Sequence, residues 1–189
     1  MGNQRKLFSE EETKMLTELT LKTAEEIANE VKRKIEGLCD RIEVVGSIRR
    51  RKAEVHDIDF VILTPSDSEW YKIIDKLKDA KATIRSSGNA IIKTLYPHEK
   101  NYVKVDFYRA KASTFGILKL IRTGSADHNM WLASYAISKG MRLKYSQGLL
   151  KGKDVVAGET EEEVFTVLEL PYPKPQEREV VDGKPLWLA

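Results

Sequence analysis

The segment from Val45 to Phe60 constrains this 189-residue chain more than any other: Val-Gly-Ser-Ile-Arg-Arg-Arg-Lys-Ala-Glu-Val-His-Asp-Ile-Asp-Phe. Val55, Ile58, Phe60, Val61, Ile62 and Leu63 are apolar and mostly β-branched or aromatic, so a strand is predicted over Asp57 to Leu63. Successive strand side chains point to opposite faces, which puts Asp57 and Asp59 on one face about 7 Å apart. Gly46-Ser47 reads as a turn and the basic run Arg49 to Lys52 as a loop feeding that strand.

The rest of the chain alternates helix and strand signals. Ser9 followed by Glu12 can cap a helix, with an amphipathic pattern through Leu16, Leu19, Ile27, Val31, Ile35 and Leu38. A strand is predicted over Arg41 to Gly46. Thr64-Pro-Ser-Asp should turn the chain into a helix over Glu69 to Lys78. Further strands are expected at Thr83 to Arg85 and Ala90 to Tyr96. Val103, Val105 and Phe107 alternate with Lys104, Asp106 and Tyr108, giving a strand with a polar face. Beyond Ala112 the pattern changes: helices over Ser113 to Ile121 and His128 to Lys139, the second stopped at Gly140. Short strands follow at Met141 to Tyr145 and Leu149 to Lys151, then a short helix over Glu161 to Leu168 and an extended tail. The reading is α+β, with a mixed sheet in residues 1–112 and a smaller α/β module in residues 113–189.

Composition narrows the functional classes. No apolar run approaches the roughly 18 residues of a membrane span, and the polar start of the chain is not a secretory signal. Cys39 is the single cysteine, which excludes an internal disulfide and a Cys-rich zinc site and fits a reducing, intracellular setting. Its ordinary role is that of a small buried residue at a helix end. A net charge of +3 does not by itself imply nucleic acid; the clusters Lys32 to Lys34 and Arg49 to Lys52 matter more.

Two carboxylates on one strand face attract divalent cations, and Mg²⁺ favours carboxylates combined with substrate phosphates. The Gly-Ser backbone and adjacent arginines suit an anionic phosphate. Asp106, with its apolar neighbours on the opposite face, is a third candidate carboxylate. Three carboxylates from two adjacent strands can hold two Mg²⁺ ions about 4 Å apart for in-line phosphoryl transfer. Asp106 can also accept a hydroxyl proton. Each element alone has a plain alternative: an exposed strand edge, an ordinary turn, a solvated basic loop. The joint spacing is that of nucleotidyltransferases.

That pattern resembles the palm of the family X DNA polymerases, the DNA polymerase beta family. Thr123-Gly124-Ser125, with Asn129 six residues after the threonine, resembles the family's Thr-Gly-Ser motif at the base of the thumb. Val155-Val-Ala-Gly-Glu-Thr and Leu170-Pro-Tyr-Pro-Lys-Pro resemble its C-terminal end. The similarity spans roughly residues 20 to 178. It implies a nucleotidyltransferase-type palm, a mixed sheet flanked by helices, followed by a small thumb module. It implies a magnesium-dependent DNA polymerase acting in short-gap repair, with Mn²⁺ as the alternative ion. Asp57 and Asp59 would bind both metals; Asp106 would bind one and activate the primer 3′-hydroxyl. Gly46, Ser47 and Arg50 would receive the triphosphate of a dNTP. Gly124 and Ser125 would shape the sugar pocket, and Asn129 would face the base edge. Lys104, where the family usually has arginine, and Arg122 would meet DNA. The implied partners are primer-template or gapped DNA and dNTP, with no membrane, for a monomer in the cytoplasm or nucleoid.

Several positions depart from the family. His56 stands where glycine is usual, and strand alternation turns it away from the carboxylates. Ile121-Arg122 replaces two aromatic residues, and Ala133 replaces a template-contacting arginine. Trp187 is expected to pack back on the thumb. No lyase or fingers domain is expected, so no deoxyribose-phosphate lyase activity is either. DNA grip would then rest on phosphate contacts and weaken steeply with salt. Two other readings stay open: a template-independent or non-DNA nucleotidyltransferase, and a non-catalytic nucleic-acid-binding module.

Overall fold

The computed structural model of the protein describes residue 16 and residues 18–188. The elements run β1 (Leu19–Thr20), α1 (Leu21–Ile35), β2 (Arg41–Val44), the single helical turn α2 (Gly46–Arg49), β3 (Glu54–Val55), β4 (Ile58–Leu63) and α3 (Asp67–Asp79). Then come β5 (Thr83–Ser87), β6 (Ile91–His98), β7 (Asn101–Arg109), α4 (Phe115–Thr123) and α5 (Ala126–Ser138). The last part holds β8 (Met141–Lys144), β9 (Gly148–Lys151), β10 (Asp154–Ala157), α6 (Glu161–Val167), β11 (Val180–Val181) and β12 (Lys184–Pro185).

Five strands form the main sheet in the order β2-β4-β7-β6-β5. Only the central pair, β4 and β7, is parallel; the others are antiparallel. The period-2 pattern sorts the side chains as the sequence predicts. Ile58, Phe60 and Ile62 of β4 join Val103, Val105 and Phe107 of β7 on one face. There α1 contributes Ala24, Ile27, Val31 and Ile35, and α3 contributes Trp70, Ile73 and Leu77. Phe60 and Phe107 are register partners with stacked rings 5.3 Å apart. The opposite face carries Asp59, Val61 and Leu63 of β4 beside Asp106 and Tyr108 of β7. Val61 and Tyr108 are covered by Phe115 and Leu118 of α4.

A second core lies beyond this sheet. Ile117 and Leu120 of α4 pack with Leu132 and Ala136 of α5, Leu149, Ala157, and Val164 and Phe165 of α6. Strands β8, β9 and β10 form an antiparallel sheet against it. Trp187 folds back as expected, edge-on to Trp131 at 5.5 Å and to Phe165 at 5.8 Å. Helix α4 thus serves the cluster on the Val61 and Tyr108 face of the sheet and the second core, one side of it each.

The structure alters several sequence readings. The Ser9–Glu12 cap lies outside the described residues. Helix α1 begins at Leu21, where the Thr20 hydroxyl accepts the Thr23 N–H at 3.2 Å, and Leu19 pairs in a strand with Val55 instead of extending the helix. Gly46 to Arg49 form a helical turn rather than a loop. β10 was not expected; Asp154–Ala157 pairs with β9 through an irregular register. Cys39 is half-buried, its thiol donates to the Ile35 carbonyl at 3.3 Å, and burial, then Asp40 and Glu36, push its pKa up to about 11. Among the described residues no helix is long and apolar enough to cross a membrane.

Candidate active site

Parallel pairing of β4 with β7 puts Asp59 directly beside Asp106, as Cα partners. Both are half-buried, whereas Asp57, just before β4, is exposed. The sequence placed Asp57 and Asp59 on one face; it could not show that the neighbouring strand would be β7 or which residue would pair with Asp59. Burial first, then the charges of Asp57 and Asp106, push the Asp59 carboxyl up to about 7, against the pull of Arg122 and Tyr108. Asp106 is also raised, mainly by burial, with Lys93 opposing. Burial leads at both carboxyls; neighbouring carboxylates add to it at Asp59, whereas lysines oppose it at Asp106.

The helical turn α2 lies over these carboxylates. The Val45 N–H donates to the Asp59 carbonyl at 2.9 Å. Gly46 has φ +65°, and a Cβ there would stand 2.5 Å from Asp59 Oδ2. Only glycine leaves room for that approach. Ser47 follows with its hydroxyl oxygen buried and lacking a hydrogen-bond partner. Arg50 donates through Nη1 to the Thr123 carbonyl, while its Nε is buried without a partner. A Cβ on Gly124 would lie 3.1 Å from Arg50 Nη1. Gly46, Ser47, Arg50 and Gly124 thus converge at one edge of the carboxylate pair.

The other candidates are placed differently. Ser125 caps α5: its Oγ accepts the His128 N–H at 3.3 Å and donates to the Arg178 carbonyl at 3.0 Å. The Gly124–Ser125 peptide is cis. Asn129 donates through Nδ2 to the Ile121 carbonyl at 2.7 Å and leaves Oδ1 without a partner. Both belong to the α4–α5 corner, which meets the Gly46 turn through Arg50. Lys104 is exposed on the Asp106 side of β7, where its charge helps hold the Asp106 carboxyl down. Arg122, expected at a phosphate, lies with its guanidinium 3.8 Å over the Tyr108 ring, and its Nε is buried without a partner. Tyr108, expected to leave the core, is buried beneath it and donates to Asp106 Oδ2 at 3.4 Å. A cleft of about 590 Å³ opens beside Tyr108 and Arg122, bounded by Ile91, Leu118 and Tyr145.

Sequence reasoning missed two sets of residues. Lys93 stands opposite Asp106 across the β6–β7 register, its ammonium 3.8 Å from Oδ2; an alignment of those two strands was the only signal that could have found it. The second set centres on Glu161, which is nearly fully buried. Arg49 holds it with two guanidinium nitrogens, at 2.7 and 2.5 Å, and Nη1 also reaches Thr123 Oγ1 at 2.6 Å. Arg178 and the Tyr172 hydroxyl each donate to Glu161 at 2.8 Å. Desolvation pushes the Glu161 pKa up, but the Arg49 and Arg178 contacts outweigh it and hold the carboxyl at about 2.

Asp57, Asp59 and Asp106 supply hard oxygen donors, which suit a hard divalent cation. As the side chains stand, no three His, Cys, Asp or Glu among the described residues are gathered tightly enough to hold one ion. The donor chemistry of the three carboxylates fits such an ion.

Known proteins resemble the chain in sequence and in fold. The family model for the DNA polymerase beta thumb matches residues 119–179. The chain is 27% identical over 135 residues to the DNA polymerase/3′-5′ exonuclease PolX of Bacillus subtilis (strain 168), covering 71% of this chain and 23% of that protein. It is 29% identical over 163 residues to DNA polymerase lambda of Rattus norvegicus, covering 71% of this chain and 28% of the relative. It therefore spans about a quarter of the length of these curated relatives. Leishmania infantum polymerase beta in a ternary P/T complex superposes with a TM-score of 0.79 at 20% identity, over 90% of this chain and 80% of that one. The same polymerase in a ternary gap complex gives 0.78 at 21% identity, over 90% and 73%. At that identity the superposition establishes the fold, a mixed sheet with helices and a second α/β module. Thumb model, sequence relatives and fold point the same way: the chain is similar to family X DNA polymerases, and its residues 119–179 match the DNA polymerase beta thumb.

Proposed function

We propose that this chain is a DNA-directed nucleotidyltransferase that transfers dNMP from dNTP to a primer 3′-hydroxyl, acting as an intracellular monomer in short-gap repair. The observation that carries the reading is the parallel register that sets Asp59 beside Asp106, under a glycine turn whose Ser47 hydroxyl and Arg50 Nε are buried without partners. Unsatisfied buried polar groups of this kind are costly unless a ligand completes them.

In this reading residues 1–112 form the nucleotidyl-transfer module and residues 113–189 the thumb-like module. The Gly46–Ser47 backbone, the Ser47 hydroxyl and Arg50 receive the triphosphate. Asp57, Asp59 and Asp106 hold two Mg²⁺ ions, with Mn²⁺ as substitute. When bound, such ions neutralise the triphosphate and acidify the attacking hydroxyl. Asp106 accepts the 3′-hydroxyl proton as the new phosphodiester bond forms and pyrophosphate leaves. Gly124 and Ser125 bound the sugar, and Asn129 faces the base edge. Lys104 and Arg122 contact the DNA strand.

The test is extension of a labelled primer on one-nucleotide-gapped duplex and, in parallel, on single-stranded primer, with Mg²⁺. Template-matched extension, reduced about 10²- to 10⁴-fold or more by Asp106→Ala, is the expected result. Equal untemplated addition to the single strand points instead to the template-independent reading. DNA binding without turnover on any nucleotide or metal would leave only a binding module.

A further inference from the structure

The basic run Arg49 to Lys52 is not a free cationic patch, since most of it already has carboxylate partners. Arg49 is committed to Glu161, and Arg51 pairs with Glu25 at 3.5 Å on the surface. Lys52 is ion-paired with Glu179. Arg50 donates instead to the Thr123 carbonyl, and the charges of Glu179, Asp59 and Asp57 act on its guanidinium. One tail carboxylate, Glu179, therefore holds Lys52, two residues from Arg50, at the edge of the turn proposed to bind phosphate.

We infer that Glu179 is a built-in counter-ion of the triphosphate loop, a carboxylate that an incoming triphosphate must displace. This rests on the nucleotide reading above. The main chain at Glu179 is fixed: its N–H donates to the Glu177 carbonyl at 2.7 Å, and its carbonyl accepts from the Leu186 N–H at 3.0 Å. Arg178, just before it, is fully buried on Glu161, and its carbonyl accepts from Ser125. The β11–β12 hairpin then returns the chain so that Trp187 docks on Trp131 and Phe165. With the backbone held on both sides, the carboxylate is positioned by the fold and not by chance contact of a loose tail.

The side chains, by contrast, can move. Those of Lys52 and Glu179 are 44% and 32% exposed, and opening the pair uncovers the buried Glu179 Oε1 that meets Lys52. A triphosphate brings several negative charges to Arg50, and a carboxylate retained there would repel it. Once Glu179 rotates outward, Lys52 is released as an additional cation for the phosphates. The empty loop keeps its charge masked, while the filled one exchanges one weak partner for a stronger one. The exchange weakens triphosphate binding by the free energy of the lost pair.

Calorimetric titration of inorganic tripolyphosphate and of dATP, with Mg²⁺, into the wild-type chain, Glu179→Gln and Arg50→Ala tests this. Glu179→Gln should bind both ligands roughly threefold to tenfold more tightly, the range of one partly exposed ion pair, and Arg50→Ala should bind both more weakly. Glu179→Ala, which also removes the carboxylate, should match Glu179→Gln and replaces it if thermal melting shows that variant unfolded. Unchanged or weaker binding in the neutral variants, with wild-type binding still lost in Arg50→Ala, overturns the counter-ion role alone. Absence of wild-type binding, or indifference to Arg50→Ala, overturns the nucleotide reading and this inference with it.

Discussion

At Gly46 the backbone turns through φ +65°, and a methyl group added there would stand 2.5 Å from Asp59 Oδ2. Two costs coincide. An L-residue in the left-handed region gives up about 1–2 kcal/mol, and the carboxylate on β4 would have to move out of register with Asp106. Gly46→Ala is therefore expected to lower stability by about 1–3 kcal/mol in thermal or denaturant melts. Primer extension should fall further than that stability loss explains, since the methyl displaces Asp59 itself; full activity in a folded Gly46→Ala protein would contradict the placement. The glycine was legible in the sequence as a turn. Its reason was not, because the atom it makes room for is thirteen residues away and reaches it only through tertiary packing.

The elements show the same division between what local pattern reveals and what packing decides. β4 and β7 were readable from period-2 alternation, and α3 and α5 from apolar spacing, each to within a few residues, whereas α1 begins only at Leu21. β10 was hidden because Val155 and Val156 are both exposed and its register with β9 is irregular, so no alternation marks it. The three candidate carboxylates could be singled out from spacing, whereas Lys93 and Glu161 required knowledge of which strands and helices meet. Arg49 had been grouped with a loop; it is the cation through which α2 grips α6. That grip has a pH signature. Folding holds the Glu161 carboxyl at about 2, below its ordinary 4.5. The unfolded chain therefore takes up the extra proton first, and the contribution is complete above pH 4.5 and lost as pH falls through 2. The difference corresponds to about 3 kcal/mol. Urea melts across this window should show the loss in the wild-type chain, and Glu161→Gln should lose about 3–5 kcal/mol at neutral pH and show a flatter acid limb. A wild-type slope unchanged by the substitution would place the acid sensitivity elsewhere.

For the molecule as a whole, the buried apolar side chains of the described residues form three clusters, one on each face of the main sheet and one beyond it, where the sequence offered only a change of pattern near Ala112. What the pattern did not show is how thoroughly the parts are joined. Arg49 crosses to Glu161, Lys52 to Glu179, and Arg50 to Thr123. Helix α4 gives Phe115 and Leu118 to the sheet and Ile117 and Leu120 to the second core, and at Gly116 it approaches α6 so closely that a Cβ would stand 2.3 Å from the Thr160 backbone. A nine-residue helix used on both sides has no half that can be left standing alone. Melting either core strips α4 of a wall it needs for the other, so the described chain should behave as one cooperative unit. Calorimetry is expected to give a single transition with matching calorimetric and van't Hoff enthalpies; two resolved transitions would show separable halves. For a polymerase-like fold this means that any shift of the second module relative to the sheet must be a rotation carried by α4 intact, a lever with both ends already buried.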